Sequence, residues 1–146
     1  MKKILFLFGT RPEAIKMAPL VKTFCLDSNF TVKVGVTAQH REMLDQVLDF
    51  FKIDVDYDLN IMKPNQSLHE LTSSLILKIT EDILNIENFD YVFVQGDTTT
   101  VLAGALASFY KKIKVIHIEL TEKCNLACLM CDRNKNGEEV NQYLEN

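Results

Sequence analysis

Residues 4–13 read Ile4-Leu5-Phe6-Leu7-Phe8-Gly9-Thr10-Arg11-Pro12-Glu13: five large apolar side chains, then a glycine, a threonine and a proline. An unbroken apolar run of that length, bounded by turn residues, reads as a strand buried on both faces. The stretch Thr10-x-x-Glu13 has capping-box spacing, and Pro12 falls in the first turn of the helix, where its missing N–H costs nothing. A strand that passes through a tight turn into a helix is the opening unit of a parallel α/β sheet. Pro19 interrupts the helical pattern that follows, so a kink or early break is expected near Ala18.

The same alternation continues outward. Residues 31–37 and 91–95 read as further strands, 114–119 as another, and 55–59 as a weak one. Between them Met43, Val47, Leu48 and Phe51 form one helical face, and Leu68, Leu71, Leu75, Ile79 and Ile83 another, with Ser67-x-x-Glu70 as a second capping box. Residues 101–109 are apolar or small all round, which suits a helix laid against a sheet. Strands alternating with helices imply right-handed crossovers and a parallel sheet with helices on both faces, a Rossmann-like α/β fold over residues 1–119. Residues 120–146 change character and form a short Cys-rich tail with too few apolar side chains for a second core.

Composition narrows the function classes. The chain has 146 residues, 47% hydrophobic and 25% charged, with a formal net charge of −4. That apolar content excludes global disorder, and a mildly acidic balance without a basic stripe argues against nucleic-acid binding. The apolar run after Met1-Lys2-Lys3 is too short for a secretory signal and no stretch approaches membrane-spanning length, so a cytoplasmic, reducing setting is expected. Of the 4 cysteines, Cys25 reads as a small core residue. Cys124, Cys128 and Cys131 are spaced for metal chemistry.

In open parallel sheets ligands bind beyond the carboxyl ends of the strands. Four polar clusters fall there: residues 9–13, residues 38–41 (Ala38-Gln39-His40-Arg41), residues 96–100 (Gly96-Asp97-Thr98-Thr99-Thr100) and Glu119. The helix N-terminus after Gly9 is expected to offer free amides to an anion, and Arg11 and Lys16 add charge that could grip a diphosphate. No GxGxxG or Walker sequence is present, so NAD binding and P-loop hydrolysis lack support. Asp97 and Glu119 suit a pair of acid–base carboxylates, although Asp97 also fits a helix N-cap and Glu119 an exposed strand end. His40 and His117 read as structural.

The blocks Gly9-Thr10-Arg11-Pro12-Glu13-Ala14-Ile15-Lys16, Thr37-Ala38-Gln39-His40-Arg41-Glu42-Met43, Asp56-Tyr57-Asp58-Leu59-Asn60 and Gln95-Gly96-Asp97-Thr98-Thr99-Thr100 together resemble the non-hydrolysing UDP-N-acetylglucosamine 2-epimerases over residues 1–119. The resemblance implies half of a GT-B-type two-domain fold with the nucleotide sugar in the cleft between the halves. It also implies inversion at C2 by elimination and re-addition of UDP, with no metal or redox cofactor. On this resemblance Arg11 and Lys16 bind the diphosphate, and Asp97 and Glu119 belong to the acid–base set. Gln39 and His40 lie in a segment that some bacterial members use for a second, activating nucleotide sugar. After Glu119 the sequence leaves the family pattern, and the later glutamate and the second domain do not follow.

Cys124-x3-Cys128-x2-Cys131, after Leu120-Thr121-Glu122-Lys123, resembles the cluster loop of radical S-adenosylmethionine enzymes. Three thiolates there hold three irons of a [4Fe–4S] cluster and leave the fourth iron for S-adenosylmethionine. A zinc site is the alternative and needs a fourth ligand such as Asp132 or His117. The combined expectation is a truncated or chimeric epimerase half with little turnover by itself, prone to self-association through its exposed sheet edge. An iron–sulfur protein and a non-catalytic nucleotide-sugar module are the competing readings.

Overall fold

A computed structural model of the chain describes residues 1–38, 41–63 and 65–119. The expected alternation is present: β1 (Lys2–Phe8), α1 (Arg11–Leu26), β2 (Phe30–Val36), α2 (Arg41–Phe51), β3 (Tyr57–Asp58), α3 (Leu68–Ile79), β4 (Tyr91–Gln95), α4 (Thr99–Tyr110) and β5 (Lys114–Ile118). The strands form one parallel sheet in the order β3-β2-β1-β4-β5. β1 is central, and Ile4, Leu5, Phe6, Leu7 and Phe8 are all buried, which is why its sequence lacks polar alternation. Ile4, Phe6 and Phe8 face the layer of α1 and α2, whereas Leu5 and Leu7 face α3 and α4. A Cβ at Gly104 would come within 2.6 Å of Leu7 Cδ2, so glycine lets α4 settle against β1 without displacing a buried leucine. No helix among the described residues is long and apolar enough to cross a membrane.

Several local expectations are corrected. α1 runs unbroken through Pro19 from Arg11 to Leu26. Pro19 is exposed, so the Ile15 carbonyl that loses its partner lies on the solvent side, where water can replace the bond. Cys25 is exposed rather than core, because Phe24 takes the inward position in that turn. In α2 the buried stripe is Leu44, Val47 and Leu48. Met43 lies about 100° from Leu44 around the helix and is exposed. Leu68 is exposed as the first residue of α3, one turn short of Leu71, where burial begins.

The apolar positions Leu71, Leu75, Ile79 and Ile83 recur every four residues, so on a helix of ~3.6 residues per turn the stripe drifts about 40° per step. A π-helical turn, Thr80–Leu84, follows α3 and is closed by Asn85 N donating to Thr80 O at 2.8 Å. The wider turn takes up the accumulated drift and keeps Ile83 and Leu84 in the core.

A polar network ties β1, β3 and the segment leading into β4. Glu87 accepts from Tyr57 OH at 2.8 Å and from Lys3 Nζ at 3.1 Å, while Asp90 accepts from Lys3 N at 2.8 Å and Lys2 Nζ at 2.7 Å. Burial opposes ionisation of Glu87, but the hydrogen bonds from Tyr57 and Lys3 outweigh it and lower its pKa. Burial and the bond to Glu87 push the Tyr57 phenol up to about 12. The folded-state value is raised, so the stabilisation is complete below the unfolded value of about 10 and is lost as pH rises through 12. Tyr57→Phe is expected to cost about 1 kcal/mol at neutral pH, and the gap from wild type should close between pH 10 and 12. Urea unfolding of both chains across that range checks it, and a gap independent of pH would contradict the assignment.

Candidate active site

The winding direction of the sheet changes between β1 and β4. α1 carries the chain from β1 to β2 on one side, and α4 carries it from β4 to β5 on the other. The crevice at the carboxyl ends of β1 and β4 is therefore the topological switch point, where open α/β sheets bind ligands.

Glu13 spans that crevice. It is only 2% exposed, and its Oε2 accepts from Gly9 N at 2.7 Å and Thr10 N at 2.9 Å. Its Oε1 accepts from the Thr98 hydroxyl, 85 residues away in sequence, at 2.5 Å. Gly96 completes the fit. Its φ of +99° lies in the left-handed region that favours glycine, and a Cβ there would sit 3.6 Å from Glu13 Cγ. Of the amides expected to be free after β1, those of Gly9 and Thr10 already donate to Glu13, and Pro12 has no N–H to offer.

A second tie runs from β2, where Thr37 Oγ1 and Thr100 Oγ1, both buried, are 2.8 Å apart. Ala38 follows with φ 53°, a strained value for a residue with a Cβ. Arg41 fixes the start of α2 by pairing with Asp58 at 2.5 Å and Asp45 at 3.0 Å. From β5, His117 Nε2 donates to Gly96 O at 3.0 Å, which gives this histidine the structural role expected of it.

The structure places the charged candidates around this frame. Arg11 opens α1 at the rim, and Lys16 lies about 7.5 Å further along the helix axis; both are exposed. Asp97 is exposed in the loop after β4, and Glu119 is exposed just after β5. Gln95 pairs with Ile118, so the two carboxylate-bearing segments leave adjacent strands about 5 Å apart. The N-cap of α4 is Thr98 rather than Asp97, and its hydroxyl turns to Glu13 instead of capping the helix. That leaves Asp97 without a capping duty. Gln39 and His40, and Cys124, Cys128 and Cys131, lie outside the described residues. Among the described residues no cluster of three or more His, Cys, Asp or Glu is arranged to hold a metal.

A family profile described as UDP-N-acetylglucosamine 2-epimerase matches residues 23–120. The chain belongs to this family. It is 59% identical to the UDP-N-acetylglucosamine 2-epimerase of Salmonella borreze over 119 residues, which is 82% of this chain and 31% of that protein. It is also 59% identical to the enzyme of Neisseria meningitidis, over 80% of this chain and 31% of that one. The crystal structure of the Neisseria meningitidis epimerase bound to UDP-GlcNAc superposes with a TM-score of 0.77, over 80% of this chain and 31% of that chain. The S. aureus MnaA–UDP structure also gives 0.77 at 53% identity, over 82% of this chain and 31% of that chain. The chain thus spans about a third of the length of these epimerases, and its sheet is the half of their GT-B-like fold that sequence analysis anticipated.

Glu13, Thr98, Thr37 and Thr100 escaped sequence reasoning as site organisers. The capping-box spacing flagged Glu13 only for its own helix, and nothing local announces a partner 85 residues away. Glu13→Gln replaces one accepting oxygen with a donor facing other donors, and should cost about 2 kcal/mol by chemical denaturation. In 15N-resolved NMR spectra the Gly9, Thr10 and Thr98 amides should all shift, and Thr98→Val should move the Gly9 and Thr10 signals across the crevice. A Thr98→Val effect confined to α4 would refute the bridge.

Proposed function

We propose that this chain forms one wall of a nucleotide-sugar cleft, the N-terminal half of an enzyme that interconverts UDP-N-acetylglucosamine and UDP-N-acetylmannosamine. The observation that carries the reading is the convergence of Arg11, Asp97 and Glu119 on one switch-point rim in a chain of this family. Relatives solved with UDP-GlcNAc and with UDP support the choice of ligand.

In this reading Arg11 and Lys16 bind the diphosphate, and Asp97 and Glu119 manage the proton at C2. One carboxylate takes that proton as the C1–O bond to UDP breaks, which leaves a glycal. UDP then adds back to C1 and a proton is delivered to the opposite face of C2. Catalysis by this route depends on fixing the sugar between two walls, and effective molarities fall steeply when one is absent. The isolated chain should therefore bind without efficient turnover.

For Cys124, Cys128 and Cys131 our reading is an iron–sulfur loop, because three thiolates suit a cluster with one open iron. A reducing cytoplasm would keep those thiols available. Anaerobic reconstitution should give a chain with broad visible absorption, and a colourless, iron-free product would remove this part of the reading.

NMR titration or calorimetry should detect binding of UDP-N-acetylglucosamine, with Arg11→Ala weakening it about tenfold through loss of a charge-assisted contact. Asp97→Asn should leave affinity within about twofold, since its role lies in proton transfer rather than grip. Absence of binding by the wild-type chain would sink the proposal. Turnover proportional to its concentration would refute the claim that one wall is insufficient.

A further inference from the structure

Gln95 is the last residue of β4 and only 7% exposed. Strand alternation places it in the row of Tyr91 and Phe93, which pack on the α1 and α2 side of the sheet. Its neighbour on β5 is Ile118, and one step beyond the last β1–β4 ladder pair, Phe6 with Phe93, lies Phe8. An amide thus stands where this row otherwise holds aromatic rings, and its Oε1 is buried with no hydrogen-bond partner among the described residues. A buried, unsatisfied acceptor is costly, and in native structures such a group calls for a specific explanation. Here it lies at the switch point, two residues before Asp97 and beside the loop that Glu13 holds in place.

We propose that Gln95 is a ligand-contact residue whose side-chain amide takes a hydroxyl of the hexose in a bound nucleotide sugar. This inference rests on the proposed function. A hydroxyl suits the position because it can donate to Oε1, or accept from the amide nitrogen if the group is turned over. Asp97, the carboxylate proposed to act at C2, follows two residues later, which assigns the contact to the hexose rather than to the ribose or the base.

Gln95→Met separates this role from a structural one. Methionine keeps the length and removes the orphaned acceptor, so the melting temperature should stay level or rise. Affinity for UDP-N-acetylglucosamine should fall about five- to tenfold in NMR titrations, while affinity for UDP stays within about twofold. A fall in melting temperature of more than about 3 °C would overturn the proposal in favour of a structural amide. Unchanged affinity for the sugar nucleotide, or equal losses for both ligands, would overturn it as well. If the wild-type chain itself binds neither ligand, the underlying reading fails and this one with it. If wild type binds and the variant binds equally well, only the role of Gln95 is lost.

Discussion

Glu13 puts a carboxylate at a position that is 2% exposed and surrounds it with the Gly9 N–H, the Thr10 N–H and the Thr98 hydroxyl. Without those donors the buried group would cost several kcal/mol, so the two loops and the side chain are mutually dependent. The bridge joins the β1–α1 turn to the β4–α4 turn across the point where the sheet reverses its winding. The Glu13 side chain also lies beside Gly96, whose positive φ turns the chain out of β4 toward Asp97. Rim geometry is therefore held by a buried contact beneath the rim.

That arrangement changes the electrostatics of the site. A helix N-terminus ordinarily presents unpaired amides and a partial positive charge to an anion. At α1 the Gly9 and Thr10 amides are already taken by Glu13, so fewer remain for an anion there. At α4 the situation differs, since Thr98 spends its hydroxyl on Glu13 and the helix begins without a side-chain cap. The two helix starts flanking the crevice are consequently unequal: Glu13 takes up amides leading into α1, whereas no N-cap side chain serves α4.

Much of the fold was legible because burial on both faces erases polar alternation. β1 and β4 are nearly continuous apolar runs, and their boundaries are sharpened by Gly9 and Gly96. Helical faces are less legible at their ends. Met43 and Leu68 share the period of their stripes but fall outside the arc or the length that meets the sheet, a tertiary matter that hydrophobicity alone cannot report. Pro19 shows the reverse error, where a local rule gave way because the unpaired carbonyl faces water. Within the site, Arg11, Asp97 and Glu119 were legible as polar residues after strands. Glu13 was legible only as a capping residue, because its second partner is set by strand order, which no local pattern encodes.

The strand row Tyr91, Phe93, Gln95 shows how core and site meet within one element. Tyr91 packs against the core cluster on this face and Phe93 makes ring contacts with Phe6 and Phe24, so both stabilise the sheet irrespective of ligand. The third is equally enclosed yet polar, so it adds little to the core while placing hydrogen-bonding capacity at the end of the strand. Selection for stability alone would favour another apolar side chain there, flanked as it is by Ile118 and Phe8. The amide departs from the apolar side chain that packing alone would favour, and the change falls between Phe93 and Gly96, directly beneath the rim that Glu13 secures.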